Sequence, residues 1–223
     1  MVHRGYAAGP SEPPSLITLD RMAASLNPDV VLLQVEAHLL SVLGQDSGRA
    51  GVSFLGAERI DVLRFGPDPD GLVRYVTLGM SRAPMGDPGA EVVLEDGPRA
   101  ELLLTVRDLH DTVLRRLAIL AASPAVEGVV LAPGAGLDLG EPLWDGSPFT
   151  AALVGEPGGL VPDVELEAHE PVRFLPLLPM TPNEAAWKRV HGASALEQRW
   201  LDTGADLRDP RRPEVDLTPP KAP

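Results

Sequence analysis

LVRYVTLGMSRAPMGDPG, residues 72–89, decides how the rest of the chain is read. The first seven residues are rich in β-branched and aromatic side chains and read as a strand. The strand stops at Gly79-Met80-Ser81, and Pro84, Gly86, Pro88 and Gly89 then break the chain. Residues 79–83, GMSRA, stand one substitution from the G-x-S-x-G nucleophile elbow. That elbow needs a helix directly after the serine, because the helix N-terminus and adjacent amides stabilise an oxyanion. The prolines and glycines forbid such a helix. A triad also needs a histidine and an acid. His110 falls at a helix start and His169 in an acidic loop, and neither spacing recruits it. Ser81 is therefore expected to end a strand, its hydroxyl bonded to local backbone. A small serine hydrolase is the alternative, and it requires a helix after Arg82 with a histidine in reach of Ser81.

Outward from this strand, IDVLRF precedes it across GPDPDG, whose Pro, Asp and Gly suit a turn, so the two runs predict an antiparallel hairpin. Asp68 and Asp70 read as turn formers. RAELLLTV supplies a third strand, and GVVLAP, FTAALVG and VRFLPLL supply shorter ones. Before the hairpin, Asn27 and Pro28 open a helix that Gly44 closes, with Leu32, Val35, Leu39, Val42 and Leu43 on its inner face. A second helix is expected from Asp108 to Ala122, closed by Pro124, with Leu109, Val113, Leu117 and Leu120 inward. The last helical stretch opens at a Thr181–Glu184 capping box, breaks at Gly192 and resumes with a Ser194–Glu197 box before Gly204. Helices grouped around hairpin-connected strands predict an α+β fold, a mixed and largely antiparallel sheet flanked by helices. Residues 1–15 and the Pro-rich 209–223 read as disordered tails around a single domain, 16–208.

Composition narrows the function. The chain of 223 residues contains no cysteine, which removes disulfides, thiolate metal sites and cysteine nucleophiles. No apolar run is long enough to cross a membrane, and the N-terminal residues lack the apolar core of a signal peptide. A cytoplasmic protein is the expectation. The net charge of −13 argues against nucleic acid as a partner. From Leu117 to Val172 there is no Lys or Arg, while Glu127, Asp138, Glu141, Asp145, Glu156, Asp163, Glu165, Glu167 and Glu170 fall in that interval. Such a block is either a solvated surface or a field that steers a basic partner. APGAGLDLG misplaces the third glycine of a phosphate-binding G-x-G-x-x-G and continues into Glu141-Pro142, not a helix. His3, His38, His110, His169 and His191 lack metal-ligand spacing, and His169 between Glu167 and Glu170 reads as solvated loop. No metal and no cofactor are expected. Trp187 and Trp200 read as core. Trp144, in the acidic loop EPLWDGSPF, is either an interface anchor or packing under its own loop.

YVTLGMSRAPM followed by RAELLLTV, then GVVLAPGAGLDLGEPLWDGSPFTAALVGEP, then VRFLPLLPMTPNEAAWKRVHGASAL resembles the suppressor-of-fused domain family in an ordered series over about residues 28–208. The resemblance implies protein binding without catalysis. Similar animal domains form half of a two-domain clamp on Gli-type transcription factors. Bacterial members are single domains often viewed as immunity proteins against toxins, and this chain has no room for a second clamp domain. Its Ala-, Arg-, Pro- and Gly-rich vocabulary favours the bacterial type. The expectation is a binding module that neutralises a protein partner, a basic toxin domain fitting the acidic block, through Asp138, Glu141, Trp144, Asp145 and Glu156. Thr77, Leu78, Gly79, Met80 and Ser81 are expected to define the fold and not the function. A scaffolding domain with no inhibitory role is the further alternative.

Overall fold

The computed structural model describes residues 26–54, 57–86 and 96–218. Helix α1 spans Pro28–Leu43: the Asn27 side chain accepts from the Asp29 amide at 3.0 Å, Pro28 occupies the first turn, and the Gly44 N–H closes on the Leu40 carbonyl. Of the expected face, Val35 and Leu39 are fully buried together with Val31, Leu32 and Leu43 pack partly buried beside them, and Val42 is exposed. Eleven of the sixteen residues of PDVVLLQVEAHLLSVL are apolar, so more than one stripe fits the 3.6-residue period and the sheet selects among them.

The expected hairpin forms. Strands β2 (Ala57–Phe65) and β3 (Leu72–Leu78) pair antiparallel, with Phe65 opposite Arg74 and Asp61 opposite Leu78. Asp68 organises the turn by accepting from the amides of Asp70 and Leu72 and from Arg74. Strand β4 (Arg99–Arg107) extends the sheet beyond β3. On the other side of β2 lies β1 (Gly48–Phe54), which sequence reading did not anticipate because GRAGVSF combines two glycines with few apolar residues.

Helix α2 (Thr112–Glu127) starts later and runs further than expected. Asp108 lies outside it in the left-handed region (φ 64°), and Leu109 is exposed. Pro124 sits inside the last turns instead of ending them. Its missing N–H orphans the Leu120 carbonyl, and the Ser123 hydroxyl donates there instead at 2.7 Å. GVVLAP is not a strand. The chain there has no sheet partner, and β5 forms further on at Gly136–Asp138. It is followed by β6 (Ala151–Val154), β7 (Val164–Leu166) and the long β8 (His169–Met180). Helix α3 (Pro182–His191) carries the expected Thr181–Glu184 capping box and ends at Gly192. Helix α4 (Ala193–Thr203) does not use the expected second box: Gly192 is its N-cap, and Ser194 lies within the helix.

The sheet runs β1-β2-β3-β4-β8-β6-β5, with β7 alongside β8. Only β4 and β8 pair in parallel among these strands. The fold is thus α+β with a mixed, mostly antiparallel sheet, as the hairpin connections imply. Side-chain alternation makes two cores. Val62, Tyr75, Leu102 and Leu104 pack with α2, while Leu63, Val76, Leu103 and Phe174 pack with α1. Each fully buried aliphatic or aromatic side chain contributes roughly 1.5–3 kcal/mol. A third cluster joins Leu153 and Met180 to Leu196, Trp200 and Val215. Residues 209–218, expected as part of a loose tail, include buried Pro210, Arg212 and Val215. Residues 1–15, Pro88 with Gly89, and the chain beyond 218 lie outside the described residues.

Candidate functional site

Strand β3 ends where the sequence says it should, and its last residues close around a carboxylate. Glu101, on β4, is fully buried. Its Oε1 accepts from the Gly79 amide (2.9 Å), the Ser81 amide (3.0 Å) and the Ser81 hydroxyl (2.6 Å). Its Oε2 accepts from the Thr77 hydroxyl at 2.6 Å, and Thr77 Oγ1 in turn accepts from the Leu102 amide at 2.8 Å. A carboxylate with four charge-assisted donors tolerates burial that would otherwise be prohibitive. Arg99, one strand position pair away, donates to the Ser81 and Arg82 carbonyls. Arg82 in turn reaches Asp29 at the start of α1 (2.7 Å).

Gly79 is required here. Its φ of 142° is adverse to other residues, and a Cβ would stand 2.9 Å from the Arg59 carbonyl oxygen. A single 3-10 turn, Met80–Arg82, follows, and Ala83 is already extended. Ser81 is fully buried, with its hydroxyl committed to Glu101 and not to local backbone as expected. The helix that the hydrolase alternative requires is absent at Arg82–Ala83, so the Ser81 elbow is not built. Thr77, Leu78, Gly79, Met80 and Ser81 are all buried or part of the backbone wrapped around Glu101. Glu101 itself was missed by sequence reading, although a lone carboxylate inside the apolar run RAELLLTV signals a buried partner.

A second buried cluster ties the C-terminal residues to α3. Glu184 is fully buried and takes both Arg212 terminal nitrogens, Nη1 on Oε1 and Nη2 on Oε2, each at 2.7 Å. It also accepts from the Thr181 and Val215 amides and the Trp200 indole. The Arg212 guanidinium stacks over Phe149, 4.7 Å from the ring centre. Burial alone would raise the Glu184 pKa; the Arg212 hydrogen bonds and backbone donors outweigh it and hold the group below its ordinary value.

The acidic positions lie elsewhere. Asp138, Glu141, Asp145 and Glu156 are exposed. Asp138 caps the Gly140 amide, and Glu141 forms an ion pair with Arg116. Trp144 is not an interface anchor in this structure: it is 3% exposed, stacked on His110 at 4.8 Å and edge-on to Phe149. Burial lowers the His110 pKa, the neutral ring being favoured against the indole. Trp200 is core, whereas Trp187 is half-buried between His191 and Arg199. The His169 side chain is buried and lies 3.2 Å from Asp96, so it is not solvated loop. Among the described residues no group of three potential metal ligands converges, and no helix is long and apolar enough to cross a membrane.

These features define a class: an α+β domain in which the most motif-like residues are internal locks, leaving its edges and surface as the places where anything outside can be met. A match to the family described as Suppressor of fused protein (SUFU) covers residues 56–213, more than half of the chain, and the chain belongs to that family. Among solved structures, it is similar to a protein described as a SUFU homologue from Neisseria gonorrhoeae FA 1090, at 21% identity with a TM-score of 0.64, over 84% of this chain and 97% of that one. It is also similar to Drosophila Suppressor of Fused, at 14% identity and a TM-score of 0.59, over 84% of this chain and 51% of that one. A chain of the Sufu–Fu complex matches at 12% identity and a TM-score of 0.58, over 85% of this chain and 91% of that one. No curated protein matches in sequence. The family is one of non-catalytic protein-interaction domains, and the chain is read as one of them.

Proposed function

We propose that this domain neutralises a basic protein partner, a toxin domain in the immunity manner, by covering the partner's functional surface. The observation that carries this reading is the interval Leu117–Val172, which holds nine carboxylates and no Lys or Arg. Eight of those nine carboxylates are exposed, Asp138, Glu141, Asp145 and Glu156 among them, and Asp163 is half-buried. A surface of one sign accelerates encounter with a partner of the other sign. Family membership supports protein binding as the mode, and the structure of the Sufu–Fu complex supports a protein as the ligand class. The absence of cysteine suits a reducing cytoplasm, where we place the protein.

The test is affinity capture from the native lysate at low and moderate salt, with mass spectrometry of what is retained. The expected result is a basic protein held at low salt and diminished at higher salt. A retained partner that is acidic, or whose capture ignores salt, would overturn the steering. A toxin gene beside this one is expected for immunity and not for a scaffold.

A further inference from the structure

The slot that holds Arg212 is built without the segment that fills it. Its carboxylate is Glu184 on α3, oriented by the Thr181 amide (3.0 Å) and the Trp200 indole (3.4 Å). Its carbonyl is that of Pro179, which accepts from Arg212 Nη2 at 2.7 Å. Its walls include Phe149 and Trp200, whose ring centres lie 4.7 and 5.7 Å from the guanidinium carbon. Two carboxylate oxygens, a carbonyl and two aromatic rings fit the planar fork of a guanidinium and not the point charge of an ammonium. The occupant arrives on residues 205–218, which contain neither helix nor strand. Among the described residues, no backbone-to-backbone hydrogen bond ties 210–218 to the sheet or to a helix. Each tie there uses a side chain: Glu214 accepts from the Thr181 hydroxyl (2.8 Å) and the Asn183 amide (3.1 Å), and the Val215 N–H donates to Glu184 (3.3 Å). Segments held in this way open at lower free energy than strands or helices. The fit in cis is also incomplete, because Arg212 Nε is buried with no hydrogen-bond partner.

We propose that residues 209–218 are a latch, and that the slot beneath Arg212 recognises an arginine side chain of the protein partner, which takes Arg212's place as the latch swings out. An empty slot is strongly disfavoured, because Glu184 would lie buried without a counter-charge. Exchange of one guanidinium for another keeps the ion pair, the paired hydrogen bonds and the ring contacts. Its cost is confined to the latch itself, chiefly the burial of Pro210 and Val215. Opening is therefore coupled to arginine: the ligand binds the open form alone and draws the population toward it. With the latch closed the slot is interior, and it becomes surface only in the exchange. The exposed acids set the rate of encounter, and the filled slot sets how long the partner stays. This inference rests on the basic-partner reading above and adds the side chain that is recognised.

The experiment uses the full chain and, as probe, a labelled peptide of the latch sequence RDPRRPEVDL, residues 208–217, offered in trans. Its control carries lysine at the position matching Arg212. By fluorescence anisotropy, Arg212→Ala is expected to bind the arginine peptide at least tenfold tighter than wild type, whose own latch competes at high effective concentration. The lysine peptide is expected to bind Arg212→Ala at least tenfold more weakly than the arginine peptide. The Trp200 indole N–H resonance is expected to shift on binding. Should Arg212→Ala not fold, Glu214→Ala serves: it keeps the Glu184–Arg212 pair, removes the ties to Thr181 and Asn183, and is expected to bind at least threefold tighter than wild type. Equal affinity of wild type and the variants, equal affinity for the two peptides, or no binding would each overturn the exchange. A Glu214→Ala dimer by size exclusion would give the slot to a second copy's latch and overturn the partner's arginine. These failures are separate from that of the broader reading. A captured basic partner is expected to leave Glu214→Ala at least threefold more slowly than wild type; equal dissociation rates remove the slot from recognition and leave partner binding intact. The absence of any salt-sensitive basic partner in the capture removes the broader reading itself.

Discussion

Among the described residues two carboxylates are fully buried, Glu101 and Glu184, and the chain holds them in different ways. Glu101 collects donors contributed within a few residues of one strand end: the Thr77 and Ser81 hydroxyls and the Gly79 and Ser81 amides. Glu184 is held by a guanidinium from 28 residues away, clamped bidentate and stacked on Phe149. The first locks a local turn; the second closes the C-terminal residues onto α3. What looks most like a site in the sequence, Gly79-Met80-Ser81, is interior architecture, whereas the acids Asp138, Glu141, Asp145 and Glu156 are exposed.

The comparison breaks hardest at Arg212. Arg212→Met leaves Glu184 buried without its counter-charge and is expected to lower unfolding stability by about 3–5 kcal/mol. Pairing it with Glu184→Leu should restore a large part, which urea denaturation of the single and double variants measures. A single-variant loss below about 1 kcal/mol would show that the pair does not hold the C-terminal residues. At the other carboxylate, Glu101→Gln turns an amide NH2 toward donors on one side and is expected to lower stability by about 2–3 kcal/mol. Ser81→Ala removes one donor of four and should lower it by about 1–2 kcal/mol, with circular dichroism unchanged.

Acid titration sharpens the contrast. The folded pKa of Glu184 is held below its ordinary 4.5, so its contribution is fully present above that value and is lost as pH falls through the folded pKa. In Arg212→Met the lowering cause is removed and burial dominates, so stability should instead decline as pH rises through the raised folded value. Denaturation midpoints from pH 3 to 8 read both slopes. The smallest effect on stability is expected at the surface. Reversing Asp138, Glu141, Asp145 and Glu156 individually should change it by no more than about 0.5 kcal/mol each.

Much of this fold was legible because its punctuation is chemical. Asn27-Pro28, the Thr181–Glu184 box, the Asp68 turn and the Gly79 strand end each carry a local reason for their conformation. Where no local reason exists, the reading failed. GVVLAP has the composition of a strand and no partner to pair with, whereas GRAGVSF has little strand propensity and pairs because β2 is there. Pro-rich composition hides the packing of residues 209–218, because Arg212 owes its place to Glu184 and Pro179 and not to its neighbours in the chain. Trp144 looked like an anchor for the same reason: the His110 ring that covers it lies 34 residues earlier. The acidic interval was legible in full, since charge sign needs no tertiary information.

The central claim is that recognition resides in the exposed acids and not in the strand-end motif. The most direct measurement is the association rate constant of the captured partner with wild type, with Glu101→Gln, and with the quadruple variant Asp138→Lys, Glu141→Lys, Asp145→Lys and Glu156→Lys, each across a range of salt. The account predicts a wild-type rate that falls steeply with salt, the same rate for folded Glu101→Gln, and a quadruple variant at least about tenfold slower at low salt with little salt dependence left. Equal rates and equal salt slopes for wild type and the quadruple variant would contradict it.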